Sequence, residues 1–218
     1  MLDEAERRGQ AARALTRRPQ GPRDGVAWIA GDLDDRAALA ELVDGAGALL
    51  HVAARTTAPD AAAFDAANVA GTQALIEAAG AAGARRFVFV SSLSAREPGL
   101  SMYGASKAQA EKLVAASGLD WTVVRPPGVY GPRDVDYLEM FRAARLGVVP
   151  LPPGGASSLI HVEDLARLLL DLAGRTASLR RCSGRPWGAA ACLRRIFPRG
   201  CCAPRRAPTA CCAATRPG

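Results

Sequence analysis

The chain has 218 residues and a formal net charge of +7, and 49% of its residues are hydrophobic, which suits one globular domain with a small appendage. The first ten residues contain no apolar run, so we expect no signal peptide. No apolar stretch reaches the roughly eighteen residues of a membrane span. These exclusions predict a cytoplasmic protein without a membrane partner.

The basic residues are distributed unevenly. Residues 176–218 contain nine Arg and no acidic residue, which leaves 19 basic against 21 acidic residues in 1–175. All six Cys also lie in this tail. The body of the chain is therefore slightly acidic.

The predicted elements alternate between strand and helix, which is typical of a parallel sheet with crossover helices. The predicted strands are at 11–16, 26–30, 48–53, 86–91 and 121–125. Residues 3–9 form the end of a helix that precedes the first of these strands. The later helices run from Asp34 or Asp35 to about 43 and at 60–80, 103–116, 135–145 and 162–173.

The tail from residue 176 has no sustained period and favours disorder. Its Cys-Cys pairs lack the spacing of a zinc site, and its Arg residues could also form a nucleic-acid-binding arm. The abrupt change of composition favours a third interpretation, translation of a GC-rich gene in a shifted frame. We therefore predict a domain at 1–175 and a tail at 176–218.

The sharpest motif is Tyr103-Gly-Ala-Ser-Lys107, within a predicted helix. Because residues four apart share a helix face, the phenol and the ammonium group point the same way. A nearby cation lowers the pKa of a tyrosine, so we expect Tyr103 to be a usable acid/base near neutral pH. Both lysines of the chain lie on this helix, and a compact ammonium group suits a ribose. The alternative is a chance pair on a solvated helix.

Ser91 and Ser92 follow the clearest predicted strand, at the carboxyl edge where open parallel sheets bind ligands. A serine hydroxyl there can polarise a carbonyl while Tyr103 transfers a proton. Two serines after a strand also favour a turn. The eleven-residue separation of Ser92 from Tyr103 favours the catalytic interpretation.

Taken together, these motifs resemble the extended short-chain dehydrogenase/reductase superfamily, in its NAD-dependent epimerase/dehydratase branch. The matching segments, in the family's order, are Gly31-Asp32-Leu33, His51-Val-Ala-Ala54, Asn68-Val-Ala-Gly-Thr72, Phe-Val-Ser91-Ser92, Tyr103-x-x-x-Lys107, Arg125-Pro126-Pro-Gly-Val-Tyr130-Gly-Pro132 and Ile-His161-Val-Glu-Asp164.

The resemblance implies a role for each matching position. Ser92, Tyr103 and Lys107 would form the catalytic triad, with Tyr103 as the acid/base. Asp32 would accept a hydrogen bond from the adenine amine, and Asn68 would support the helix behind the site. Further cofactor contacts would come from Leu33, Ala53 and Ala54, and, near the nicotinamide, from Pro126 and Val129.

In this family, the residue that ends the second strand of the sheet determines whether NAD or NADP binds. An acidic residue there binds the ribose hydroxyls, whereas an Arg binds a 2′-phosphate. Here it reads Thr16-Arg17-Arg18, so NADP is favoured and Arg17 and Arg18 are candidate phosphate ligands. An exposed charged turn is the alternative. His51 and His161 have no partner at metal spacing and are predicted to be structural, and no metal site is expected.

One departure from the family concerns the pyrophosphate. The family opens with a strand and a glycine-rich turn that binds it, whereas this sequence opens inside the following helix, and Gly45-Ala-Gly47 precedes a strand. The fold class is therefore predicted as α/β, a Rossmann-like doubly wound parallel sheet lacking its first strand, with a disordered C-terminal tail. Strands 11–16 and 48–53 would each have an unpaired edge. We expect the chain as written to bind NADP poorly and to turn over little.

Three functions remain open. The first is an NAD(P)-dependent oxidoreductase or epimerase acting on an alcohol or carbonyl, such as a nucleotide sugar or a steroid-like compound. The others are a dinucleotide-binding module without turnover and a non-functional fragment. We expect a small-molecule substrate and no nucleic-acid partner, and a homodimer is left open.

Overall fold

The computed structural model describes residues 1–84, 86–134, 137–147 and 158–174. The prediction of a disordered tail at 176–218 lies outside the described residues. No helix in these described ranges is long and apolar enough to cross a membrane.

The described elements follow the predicted alternation of strand and helix. The strands are β1 (Ala12–Thr16), β2 (Val26–Ala30), β3 (Ala48–His51), β4 (Arg86–Val90), β5 (Asp120–Val124), β6 (Gly128–Tyr130) and β7 (Leu159–His161). The helices are α1 (Leu2–Arg7), α2 (Arg36–Val43), α3 (Ala61–Phe64), α4 (Gly71–Ala81), α5 (Met102–Ala116), α6 (Leu138–Arg145) and α7 (Val162–Ala173). A π-helical segment, Asp65–Ala70, joins α3 to α4, and 3₁₀ turns occupy Leu93–Arg96 and Pro98–Leu100.

All strand pairs of the described residues are parallel. Strand β1 pairs with β2, β4 lies between β3 and β5, and β6 pairs with β7. In this part of the chain, β1 and β3 each pair on one side only, as the sequence predicts for these two strands. The parallel α/β fold class is confirmed.

Strand β4 is buried along its whole length, because helices cover both of its faces. Phe87 and Phe89 belong to the core cluster that includes Ala110 and Val114 of α5. Side chains alternate along a strand, so Arg86 points to the opposite face, where its Nε donates to the Leu172 carbonyl of α7 at 3.0 Å. This two-sided covering is the doubly wound arrangement that the sequence predicts.

Local chemistry explains where two of the helices begin. The Asp35 carboxylate accepts hydrogen bonds from the first-turn amides of α2, which confirms one of the two predicted caps. Ser101 caps α5 by accepting a hydrogen bond from the Gly104 amide at 3.0 Å. A Cβ at Gly104 would lie 2.6 Å from the Ser94 carbonyl oxygen, so glycine lets α5 approach the turn after Ser92.

The structure differs from the sequence predictions in three features. Strand β3 ends at His51, so residues 52–53 lie in the irregular segment that follows it. The predicted helix at 60–80 is interrupted by the π-helical segment. Strands β6 and β7 were not predicted, because three residues are too few to show alternation.

Candidate active site

Ser92 lies at the carboxyl end of β4, where the backbone is fastened to the neighbouring strand segment on both sides of it. The Ser91 amide donates to the Val124 carbonyl at 2.7 Å, and the Leu93 amide donates to the Pro126 carbonyl at 3.0 Å. The Ser92 Oγ caps the following 3₁₀ turn by accepting from the Ser94 amide at 3.2 Å. Its half-buried hydroxyl is therefore held at the edge of the sheet.

Tyr103 is the second residue of α5, and the side chain of Ser92 is close enough to its hydroxyl to lower its pKa. Its ring packs against Phe64 with the centroids 6.2 Å apart. Burial raises the pKa of Tyr103, and the Ser92 side chain opposes that effect only in part. The expectation of a lowered Tyr103 pKa is therefore wrong for this structure, because burial outweighs the stabilisation of the phenolate.

Lys107 lies one helical turn beyond Tyr103 and is only 1% exposed. Its Nζ lies 4.2 Å from the centre of the Phe89 ring, a cation–π contact. In the described part of the chain it has no hydrogen bond or ion pair. Burial lowers the pKa of Lys107 to about 8, and the charge of Glu111 partly offsets this effect.

A buried hydrogen-bond chain supports these residues from behind. Asn68 accepts from the Arg55 amide at 2.7 Å and donates to the Arg55 carbonyl and to Ser106 Oγ, each at 3.0 Å. Ser106 Oγ donates in turn to the Tyr103 carbonyl at 2.8 Å. These hydrogen bonds fix the first turn of α5, which agrees with the supporting role that the resemblance implies for Asn68.

His51 has a structural contact, as predicted. The Thr72 hydroxyl donates to the Asn68 carbonyl at 2.6 Å, so the His51 Nε2–H donates to Thr72 Oγ1 at 2.8 Å. Burial, aided by the positive charge of Lys107, lowers the pKa of His51 to about 3. The imidazole of His51 is therefore neutral near the positive charge of Lys107.

Two residues with a place in this site were missed by sequence reasoning. Ser106 is 1% exposed and links Asn68 to α5, but a lone serine inside a helix gives no signal of its own. Ser91 Oγ is fully buried and lacks a hydrogen-bond partner among the described residues. The Ser91-Ser92 pair was noted in the sequence, and only its second member was assigned a role.

The residues predicted to bind the adenosine half lie at the ends of β1 and β2. Arg17 follows β1 and Asp32 follows β2, and their side chains form an exposed ion pair at 3.7 Å. Arg18 lies in the same turn, where its carbonyl accepts from the Thr16 hydroxyl at 2.7 Å. Both guanidinium groups are accessible to an anionic ligand, since residues 17 and 18 are exposed.

The remaining predicted cofactor residues lie after or within strands of all three described sheets. Ala53 and Ala54 are exposed after β3, Pro126 follows β5, and Val129 is half-buried within β6. Leu33 follows β2 and packs closely on Gly71, where a Cβ would lie 2.9 Å from its Cδ1. The described strands form three separate parallel sheets, β1-β2, β3-β4-β5 and β6-β7, and within each sheet the carboxyl ends of the strands share an edge.

The side chains at these strand ends suit a dinucleotide. Among the described residues, the buried ammonium group has no hydrogen bond or ion pair and the Ser91 hydroxyl has no hydrogen-bond partner. Both are unusual in a folded protein, and both can bond to ribose hydroxyls or an amide. The exposed arginines suit a phosphate. No cluster of His, Cys, Asp or Glu that could hold a metal ion occurs in the ranges that the structure describes.

The decisive comparison is with a family described as NAD(P)H-binding, whose model matches residues 1–174. The chain belongs to this family. The result confirms the resemblance to the short-chain dehydrogenase/reductase superfamily, and NAD(P) binding is the property that the family shares.

Individual relatives show the same relationship. A ceramide reductase of Caulobacter vibrioides is 45% identical over 147 residues, which cover 66% of this chain and 46% of the relative. A 4-hydroxy-2-methyl-3-oxo-4-farnesyl-3,4-dihydroquinoline-1-oxide ketoreductase of Stigmatella aurantiaca is 32% identical over 75% of this chain and 57% of its own length. The chain thus spans about half the length of these curated relatives.

A solved structure with a similar fold is MoeE5 in complex with UDP-glucuronic acid and NAD. It is 28% identical, and the alignment has a TM-score of 0.68 and covers 81% of this chain and 68% of MoeE5. The match extends the confirmed Rossmann-like architecture to a protein whose structure contains a bound dinucleotide.

Proposed function

We propose that this chain carries the catalytic and cofactor-binding residues of an NADP-dependent reductase that converts a ketone into a secondary alcohol. The observation that carries the proposal is the position of Tyr103 one helical turn from the buried ammonium group of Lys107, with the Ser92 side chain close enough to act on the Tyr103 hydroxyl. In an NAD(P)H-binding chain, this arrangement provides a proton donor, a carbonyl ligand and a ribose ligand at one sheet edge.

The proposed chemistry follows from these three side chains. A bound reduced nicotinamide would supply the hydride that attacks the carbonyl carbon. Ser92 donates a hydrogen bond to the carbonyl oxygen, and the Tyr103 hydroxyl gives that oxygen its proton. Because burial raises the pKa of Tyr103, the phenol is protonated at neutral pH, as a proton donor requires. The Lys107 ammonium group then stabilises the phenolate and holds the ribose.

We propose an apolar, lipid-like ketone as the substrate. The two curated relatives described above are named as reductases of a ceramide and of a farnesylated quinoline oxide. Apolar side chains next to the candidate catalytic residues support this class: Leu93 follows Ser92 and is 40% exposed, and Met102 precedes Tyr103 and is 48% exposed. The bound UDP-glucuronic acid of MoeE5 favours a nucleotide sugar as the second candidate.

The proposed preference for NADP rests on the turn after β1. Arg17 and Arg18 are exposed at the strand end where the family discriminates between the two cofactors, and the segment Thr16-Arg17-Arg18 contains no acidic residue. The carboxylate of Asp32 lies 3.7 Å from Arg17, so a 2′-phosphate would bind Arg17 in competition with Asp32.

A cytoplasmic location and a homodimer both remain predictions. Light scattering of the purified chain tests whether it forms a homodimer.

The reductase proposal is tested by isotope transfer. The full chain is incubated with NADPH carrying deuterium on nicotinamide C4 and with either a 3-keto long-chain lipid or a nucleotide sugar. Deuterium on the carbinol carbon of the lipid product supports the proposal. Binding of NADPH without deuterium transfer to either compound contradicts it and favours a dinucleotide-binding module.

A further inference from the structure

Glu111 lies on α5 one helical turn beyond Lys107, and Arg125 binds it from the end of β5. Arg125 Nε donates to Glu111 Oε1 at 2.8 Å, and Nη2 donates to Oε2, so the pair is bidentate. The side chains of Glu111 and Arg125 are 13% and 25% exposed, respectively. A partly buried bidentate pair is more rigid than a surface ion pair.

Glu111 is the acidic group that acts electrostatically on Lys107. Its charge raises the pKa of Lys107, against the lowering by burial. Of the other titratable groups on elements around Lys107, all but the half-buried Asp65 are neutral, paired or turned to solvent. Within the described ranges, they are the neutral His51 on β3, Asp65 on the π-helical segment, Glu77 on α4 paired with Arg36, exposed Arg96 in the 3₁₀ turn, and Asp120 on β5 paired with Arg86.

Arg125 also lies in the segment that holds Ser92. The carbonyls on either side of it, those of Val124 and Pro126, accept the amides that flank Ser92. The ion pair therefore joins the helix that carries Tyr103 and Lys107 to the strand end that positions Ser92.

We propose that Glu111 and Arg125 are positioning residues, with Glu111 serving as the counter-charge of Lys107 and the ion pair fixing α5 relative to Ser92. The functional part of this proposal rests on the proposed roles of Ser92, Tyr103 and Lys107. The electrostatic part can be tested without turnover.

The chain offers a direct measurement, because Lys107 and Lys112 are its two lysines. Lysine labelled with ¹³C gives two side-chain signals, and exposed Lys112 serves as an internal reference. In Glu111→Gln the pKa of Lys107 should fall by roughly one unit, because an opposite charge nearby favours the charged form. An unchanged Lys107 titration in this variant would overturn the electrostatic role.

A matched variant separates charge from damage to the fold. Arg125→Gln breaks the same ion pair but leaves the Glu111 carboxylate and removes a cation, so the pKa of Lys107 should not fall. An equal fall in both variants would show that loosening of α5, rather than charge, controls the lysine, and would contradict the proposal. Glu77→Gln, which breaks the distant pair with Arg36 at 3.4 Å, should leave Lys107 unchanged.

The positioning role is read from turnover. At a pH well below the pKa of Lys107, both variants should lower kcat by about tenfold, because misplacement of catalytic groups by a fraction of an ångström is costly. Wild-type kcat in both variants would show that the ion pair does not position the site. If the wild-type chain lacks turnover, the proposed function fails, and the lysine titration still decides the electrostatic role.

Discussion

The ammonium group of Lys107 lies 4.2 Å from the centre of the Phe89 ring. Phe89 is paired in register with His51 on β3, and the two rings are 5.4 Å apart with an interplanar angle of 34°. A cation, an aromatic ring and a neutral imidazole thus follow one another from α5 into the sheet. Because a desolvated cation over a ring gains about 2 kcal/mol, this arrangement stabilises a buried ammonium group that has no direct contact to an anion in the described part of the chain.

Replacing Phe89 tests this stacking. Relative to wild type, Phe89→Leu should lower the pKa of Lys107 by up to roughly one unit, because the ring no longer stabilises the cation. Phe87→Leu is the matched control, since Phe87 is equally buried on the same face of β4 and makes no contact with the ammonium group that the structure records. Both variants should lose about 1–2 kcal/mol in urea unfolding. A similar Lys107 titration in both variants would show that packing rather than the ring sets the pKa.

The buried histidine predicts how stability depends on pH. The pKa of His51 is about 3 in the folded chain and 6.5 as its ordinary value, so between these values the unfolded state binds a proton that the folded state does not. The contribution of His51 to stability is complete above about pH 6.5 and decreases as the pH falls toward about 3. Between pH 6.5 and 5, wild type should lose roughly 2 kcal/mol through this group.

His51→Asn should show a correspondingly shallower loss of unfolding free energy over the same pH range, measured by urea titration at each pH. His161→Asn removes the other histidine, which packs against Tyr130 and caps α7. That variant controls for the loss of a histidine outside the buried strand β3. Equal slopes for wild type and His51→Asn would contradict the assignment of the acid sensitivity to His51.

Arg86 should be a major stabilising residue. It is 5% exposed and donates to the Leu172 carbonyl at 3.0 Å and to the Thr122 hydroxyl at 2.6 Å, and it lies 3.4 Å from the Asp120 carboxylate. Arg86→Met leaves these acceptors without a donor and should cost about 2–4 kcal/mol of unfolding free energy. The exposed Arg36→Met should change stability by less than about 0.5 kcal/mol. Comparable losses in the two variants would contradict this role of Arg86.

Arg17 and Arg18 should determine cofactor preference. Substituting both by Ser should weaken NADP binding by roughly 10–100-fold, because a charge-assisted hydrogen bond is worth about 1.5–3 kcal/mol, and should leave NAD binding nearly unchanged. Arg36→Ser, which removes an equally exposed charge on α2, is the control. Calorimetric titration with each dinucleotide measures both affinities. Equal loss of NAD and NADP affinity would contradict a specific 2′-phosphate site.

The sequence predicts an element well where a hydrophobic pattern continues over several residues or where the local composition is strongly biased. The buried run of β4, the capping Asp35 and the spacing of Tyr103 and Lys107 each follow from local rules, and the structure contains all of them. Strands β6 and β7 escape prediction because their pairing depends on partners about thirty residues apart along the chain.

The electrostatics of the site could not be predicted from spacing alone. Sequence reasoning places a cation near Tyr103 and predicts a lowered pKa, whereas burial raises it. Burial depends on what packs around the helix, such as Phe64 against the phenol ring. The role of Ser106 between Asn68 and Tyr103 is likewise visible only in three dimensions.

The most direct test of the central claim compares wild type with Tyr103→Phe in the reduction of a ketone by NADPH. The account predicts that kcat falls by about 10²–10⁴-fold, because the proton donor is lost, while the dissociation constant of NADPH changes by less than about threefold. Ring packing against Phe64 is kept in this variant, so the fold should be unaffected. A variant that keeps kcat within about threefold of wild type would contradict the assignment of Tyr103 as the catalytic acid.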